Sequence, residues 1–255
     1  LLAAHQPRYL SWPLLPSGHA RTRQATVRQV LSVPAIFASG VPTHSIPAGW
    51  SAAMSVNTSV TTSATPDAAV SPTAALLELA ETAQRTAREL TADIDLALSM
   101  VRETVAHNGT LFFCGNGGSA ADAQHMATEY VVRYMRNRRA YPAVALTTDT
   151  SLITATGNDF GFDHIFARQV EALARPGDLL IIHSTSGNSP NVLLAADAAR
   201  AKGIRVLALS ARDGGQLRTR VDHCVVVPTD RTDRAQELHL CIQHAICEVI
   251  EQTLT

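Results

Sequence analysis

The sequence predicts an α/β fold, a three-layer αβα sandwich around a five-stranded parallel sheet, preceded by an N-terminal helix or helices. Three observations carry this expectation. Five short apolar runs recur along the chain, each separated from the next by a segment able to hold a helix. The runs are apolar almost without interruption, as strands buried on both faces of a sheet must be. Two Gly/Ser-rich loops directly follow such runs, at the carboxyl ends of strands where open parallel sheets collect ligands.

Taken in order, residues 74–107 place Leu76, Leu77, Leu79, Ala80 and Ala83, then Leu90, Ile94, Leu96, Ala97, Val101 and Val105 at helical spacing. That periodicity predicts one long helix or two consecutive ones. The strand runs are Leu111 to Cys114, Ala143 to Thr147, Leu179 to His183, Val206 to Leu209 and Cys224 to Val227. A closing helix runs from Thr232 to about Thr253, with Asp233 in its first turn. Loops between these elements are short and no repeat interrupts them, which argues for a single domain over residues 73–255.

Composition bounds the function. With 255 residues and 46% hydrophobic content the chain can bury one substantial core. All 22 acidic residues lie from Asp67 onward, so residues 67–255 carry 17 basic against 22 acidic groups, net −5. A mildly acidic domain lacks the basic stripe that a phosphate backbone demands, which excludes nucleic acid as the main partner. Cys114, Cys224, Cys241 and Cys247 show no C-x-x-C spacing and read as reduced thiols. With no membrane-spanning stretch either, the expected compartment is the cytoplasm and no membrane partner is expected.

Residues 1–72 are rich in Ser, Thr, Pro and Ala, lack sustained periodicity, and carry only Arg8, Arg21, Arg23 and Arg28 as charges before Asp67. They are expected to be a disordered extension. Their acid-free composition has something of a transit peptide, and Val30 to Val41, interrupted by Pro34, something of a signal-peptide core. The favoured account starts translation at Met54.

The chemistry sits in the loops. After the third strand, Ser184-Thr185-Ser186-Gly187-Asn188-Ser189 leads into Pro190, which opens a helix with Ser189 as its N-cap. Four hydroxyls and a turn of backbone N–H groups converge there on the positive end of a helix, a seat for an oxyanion such as phosphate. After the first strand, Cys114-Gly-Asn-Gly-Gly-Ser-Ala-Ala-Asp122 makes a second tight turn. Gly115, Gly117 and Ala120 satisfy the dinucleotide pattern G-x-G-x-x-A, but the acidic residue expected about 20 positions on is missing. Two hydroxyl-rich phosphate loops fit a sugar phosphate better.

On the helix after the second loop, His125 and Glu129 stand at i, i+4 and share a face. The closing helix adds Gln236 and His244, on one stripe of that helix. Together the four can hold a divalent metal such as zinc; alternatively, the carboxylate and imidazole form an acid/base pair that shuttles a proton between adjacent sugar carbons.

The motifs Gly115-Asn-Gly-Gly-Ser-Ala-Ala-Asp-Ala-Gln-His125 with Glu129, Thr156-Gly-Asn-Asp-Phe-Gly-Phe162, Ser184 to Ser189, Asp213-Gly-Gly215 and Asp233-Arg-Ala-Gln-Glu-Leu-His239 with His244 resemble the phosphoheptose isomerases of the sugar isomerase (SIS) family. The resemblance spans residues 75–255. It implies a flavodoxin-like SIS domain and the isomerisation of sedoheptulose 7-phosphate, a phosphorylated seven-carbon sugar, through an enediol at the start of heptose biosynthesis. It implies a homotetramer with active sites between subunits. It implies substrate contacts at Asn116, Gly117, Gly118, Ser119, Glu129, Asn158, Asp159, Ser184, Thr185, Ser186, Ser189 and Gln236, and catalysis by Glu129 and His244. It also implies one zinc ion per subunit at His125, Glu129, Gln236 and His244. His183 departs from the pattern, where an apolar residue is usual, and either adds a donor near the phosphate or simply packs. Two other readings of the same fold stand beside this one: a protein that binds the replication initiator, and a sugar-phosphate-sensing module. His244 favours the enzyme.

Overall fold

This computed structural model of the protein describes residues 71–254, so the expectations for residues 1–70, a disordered extension and a start at Met54, lie outside the described residues. The helical N-terminal periodicity resolves into two helices, α1 (Pro72–Glu89) and α2 (Thr91–Ala106). Ser71 and Pro72, which the sequence reading left in the extension, open α1. The Ser71 hydroxyl accepts the Ala74 N–H at 3.2 Å, and Pro72 loses nothing at the first helical position, where no N–H is needed.

Five strands follow: β1 (Leu111–Gly115), β2 (Ala143–Ala145), β3 (Leu179–His183), β4 (Arg205–Ala211) and β5 (His223–Val227). All pair in parallel in the order β2-β1-β3-β4-β5, the flavodoxin-like arrangement. Helices α3 (Gly118–Val131), α4 (Thr150–Asp159), α5 (Ala167–Leu173), α6 (Pro190–Ala201) and α7 (Thr232–Thr253) complete the chain. Among the described residues, no helix is long and apolar enough to cross a membrane.

Strand alternation divides the core in two. Leu111, Phe113, Leu179 and Ile181 face a layer built from α2, α3 and α7, where Met126, Tyr130, Leu238 and Ile246 pack against them. Phe112, Cys114, Leu180 and Ile182 face the opposite layer, with Val170, Val192 and Ala196 of α5 and α6. The chain order of strands reverses between β1 and β3, so the loops after these two strands diverge and leave a crevice. Both Gly/Ser-rich loops lie there.

His183 ends β3 without any exposure, its ring turned toward Phe113 and the Gln243 amide of α7, 3.3 Å away. It packs beneath the phosphate loop rather than adding a donor to it. His239, equally buried, sets its Nε2 3.0 Å from the Ser210 carbonyl. Burial drives His183 down to about 3, helped by His239, and His239 down to about 4. Both stay neutral when folded, whereas the unfolded chain takes up protons below about pH 6.5. Stability is therefore fully present above that pH and falls as pH drops toward 4, by up to about 1.4 kcal/mol per unit for each imidazole. Thermal midpoints measured between pH 7.5 and 5 should fall more steeply in the native protein than in His239→Gln. Equal slopes would show that His239 does not titrate in this way.

Candidate active site

The crevice is floored by two helix starts that no side chain caps. At α3 the N-cap is Gly117, held at φ +56° with open space where a side chain would stand. Only glycine adopts that conformation freely, and the opening lets a ligand reach the backbone. At α6 the N-cap is Ser189, as the sequence predicts, but its hydroxyl makes no capping bond. The Ala120 and Val192 N–H groups turn back to the Gly117 and Ser189 carbonyls and Pro190 has none, so Gly118, Ser119 and Asn191 supply the first-turn N–H groups left for an anion, on the positive ends of two macrodipoles.

The loop between β3 and α6 is held from behind. The Ser184 hydroxyl accepts the Gly187 N–H at 3.2 Å, and the Ser184 carbonyl accepts the Ser210 hydroxyl at 2.8 Å. Asn188 donates to the Ser186 carbonyl and accepts from the Gln216 N–H. Gly187 lies so close to Gly214 that a Cβ would stand 2.0 Å from its carbonyl oxygen, which explains the Asp213-Gly-Gly215 motif: it braces the phosphate loop.

The two loops are joined by a residue the sequence reading missed. Asn191, buried in the first turn of α6, exchanges two hydrogen bonds with Asn116, at 2.9 and 2.8 Å. The pair uses the Asn116 carbonyl and one of its N–H groups, leaving the second N–H and the backbone for a ligand. Nothing in the sequence separates Asn191 from an ordinary polar residue in a first helical turn. Asn191→Leu should leave Asn116 unpaired and raise KM for a phosphorylated substrate about tenfold, the effect of losing one or two hydrogen bonds of about 1 kcal/mol each. An unchanged KM would show that the two loops keep their spacing without it.

A second group of side chains meets where α3 packs along α7. His125 Nε2 stands 2.9 Å from His244 Nε2 and 3.4 Å from Glu129 Oε1, and one ligand atom from each of the three falls within 4.8 Å of the others. Tetrahedral zinc held at 2.0–2.1 Å separates its ligands by about 3.3 Å, which the 2.9 and 3.4 Å spacings approach. Burial lowers the His244 pKa, the neighbouring His125 lowers it further, and Glu129 opposes both. The imidazole is thus neutral near pH 7, with a lone pair available. Asp122, one turn before His125, was not singled out by sequence. Burial raises its carboxyl to about 6 against the opposing influence of His125, and its Oδ2 is buried without a hydrogen-bond partner.

The sequence-predicted residues are only partly gathered. Asn116, Gly117, Gly118 and Ser119 line the α3 start, and Ser184, Thr185, Ser186 and Ser189 the α6 start. Gln236 lies eight residues from His244, about 12 Å along α7, and its amide rests directly on Gly118. It sits at the loop end of the groove. Asn158 and Asp159 are exposed at the end of α4, bonded to each other at 2.8 Å. A cavity of about 170 Å³ opens beside Asn116 and Gly117, walled by Thr147, Ile153, Phe162 and Phe166.

Comparison with known proteins agrees with this architecture. Residues 76–211 match the SIS domain model. The phosphoheptose isomerase of Akkermansia muciniphila is 47% identical over 162 residues, covering 64% of this chain and 86% of that protein. That of Chlorobaculum parvum is 54% identical over 159 residues, covering 61% and 76%. The solved phosphoheptose isomerase of Neisseria gonorrhoeae superposes with a TM-score of 0.67 at 43% identity, covering 71% of this chain and 97% of that one. That of Francisella tularensis gives 0.69 at 34% identity, covering 71% and 96%. The chain belongs to the SIS domain family and, within it, to the phosphoheptose isomerases.

Proposed function

We propose that this enzyme interconverts D-sedoheptulose 7-phosphate and D-glycero-D-manno-heptose 7-phosphate through an enediol, opening heptose biosynthesis. The observation that carries the reading is the meeting of Glu129 and His244, from different helices, in a chain whose two Gly/Ser-rich loops lead into uncapped helix starts. The phosphate rests on Ser119 and the Ser184, Thr185, Ser186 and Ser189 loop, so binding energy remote from the reacting carbons orients C1 and C2. Gln236, against Gly118, and the exposed pair Asn158 and Asp159 supply further polar contacts along the sugar chain.

Glu129 takes the proton from C1 of the ketose while O2 gains one, giving the 1,2-enediol. The same carboxyl returns its proton to C2 as O1 loses one, giving the aldose. His244 moves the proton between the two oxygens, and its neutral ring suits that exchange. His125, Glu129 and His244, with Gln236 as the fourth donor that the family resemblance implies, would hold one zinc ion per subunit, and that ion would supply polarisation of the carbonyl. A nitrogen bound to that ion would not be free to carry a proton, so the two duties of His244 would alternate. Glu129 has two oxygens, one for each duty.

We further propose a cytoplasmic homotetramer with active sites between subunits. Exposed Leu76 and Leu77 on α1, and Val132 and Met135 beside the site, offer apolar surface for other copies to cover. NMR of the full chain incubated with sedoheptulose 7-phosphate should show an aldose anomeric signal growing in, and prior dialysis against a chelator should slow it at least tenfold. A folded, zinc-loaded protein that yields no aldose rules out the isomerase reading.

A further inference from the structure

The segment 132–142, between α3 and β2, contains no helix or strand, yet it is anchored by a buried charge. Glu251, in the last turn of α7 and 1% exposed, accepts the Tyr134 N–H through Oε1 at 3.1 Å. Its Oε2 accepts the N–H groups of Met135 and Arg136 at 2.8 and 2.7 Å. Arg138 faces the same carboxylate, Nε to Oε1 3.1 Å, with both side chains almost wholly enclosed. The rest of the Arg138 guanidinium donates to the Tyr130 carbonyl at 2.9 Å and the Glu129 carbonyl at 2.7 Å, and lies over the Tyr141 ring.

Burying a carboxylate under three consecutive N–H groups fixes the backbone of Tyr134 far more tightly than joining α3 to β2 requires. What this holds in place is a ring on the active site. The Tyr134 ring stacks on His244 with centroids 5.3 Å apart and planes 25° from parallel. His244 also meets His125 edge-on, with centroids 5.0 Å apart and Nε2 atoms 2.9 Å apart. An imidazole stacked on a fixed ring loses freedom about χ2, and χ2 decides where Nε2 points.

We propose that Tyr134 is a positioning residue: its ring, carried on backbone that the Glu251 carboxylate holds, fixes the plane of the His244 imidazole and keeps His244 Nε2 aimed at the point that His125 and Glu129 share. The inference rests on the reading of His244 as a site residue given above. Stacking is a property of the ring and not of the phenol, and burial followed by the Glu248 carboxylate raises the Tyr134 pKa, so the hydroxyl stays neutral. The effect on the metal is indirect, as with other groups that orient a ligand, whose loss costs about 10- to 100-fold in affinity.

Zinc affinity of the full chain, measured by competition with a chromophoric chelator, tests this with Tyr134→Phe and Tyr134→Leu. Leucine keeps apolar bulk under the loop, so that folding survives while the ring is lost. Tyr134→Leu should bind zinc about tenfold more weakly and lose about the same factor in kcat, with KM little changed because the phosphate seat lies on other loops. Tyr134→Phe should restore both. Native zinc affinity and kcat in Tyr134→Leu would overturn the proposal, as would a Tyr134→Phe variant as impaired as the leucine one. If the native protein binds no zinc, the metal reading fails by itself. The fall in kcat for leucine and its recovery for phenylalanine then still support Tyr134, and an unchanged kcat in Tyr134→Leu overturns it.

Discussion

Glu129→Gln is expected to lower kcat by about 10²- to 10⁴-fold, the range over which a positioned general base contributes. Glutamine keeps the shape and one acceptor but cannot take a proton from carbon. KM should hold within a few-fold, because the phosphate is seated by the loops starting at Asn116 and Ser184, not by α3 beyond its first turn. The fold should also hold. The Glu129 side chain is 19% exposed, its structural contact is His125 at 3.4 Å, and the backbone carbonyl that receives Arg138 is untouched. Steady-state kinetics alongside far-UV circular dichroism checks both halves. Near-normal kcat in a folded variant would remove Glu129 as the base.

Glu251→Ala is expected to be the most destabilising single change, at about 3–5 kcal/mol, the cost of stranding one member of a buried ion pair. It leaves the Arg138 guanidinium enclosed without its carboxylate and releases the N–H groups of Tyr134, Met135 and Arg136. For a domain of this size that is a fall of about 10 °C or more in Tm. Replacing both partners, Glu251→Leu with Arg138→Met, should recover part of the loss, because no buried charge then stands alone. Urea unfolding of the three proteins measures this, and a loss under about 1 kcal/mol in Glu251→Ala would show that the pair is hydrated and unimportant. The pH dependence has a definite sign. Burial alone would raise the Glu251 carboxyl, but the N–H groups of Met135, Arg136 and Tyr134, with Arg138, outweigh it and hold it below the ordinary value. Its contribution is therefore complete above the ordinary glutamate range and disappears as pH falls through the depressed value.

What the sequence revealed followed from local chemistry. The loops after β1 and β3 were legible because glycine and hydroxyl residues between an apolar run and a helix start have few other uses. His125 and Glu129 were legible because i, i+4 spacing alone puts them on one face, and five uninterrupted apolar runs fixed the parallel sheet. What stayed hidden depends on residues far apart in the chain. Asn191 pairs with Asn116 across 75 positions, and Glu251 reaches Tyr134 across 117, with no periodicity to mark either. The orientation of His183 was equally hidden: its place before the phosphate loop left open a donor or a packing residue, and strand alternation turns it inward to α7. Helical spacing put Gln236 and His244 on one stripe but not at one height, so the amide rests on Gly118, two turns from the imidazole. Asn158 and Asp159 stand exposed at the end of α4 with no bond to either loop in a single chain.

The central claim is that a carboxylate open to water carries the migrating proton, and turnover of sedoheptulose 7-phosphate in deuterated water reads it directly. The Glu129 side chain is 19% exposed in the single chain, which gives a proton held there a route to exchange with solvent before it returns to carbon. The heptose product should carry deuterium at C2, and Glu129→Gln should abolish that label together with turnover. A product that keeps the original C1 hydrogen at C2 in full, with none from solvent, would contradict a solvent-exchanging carboxylate as the carrier.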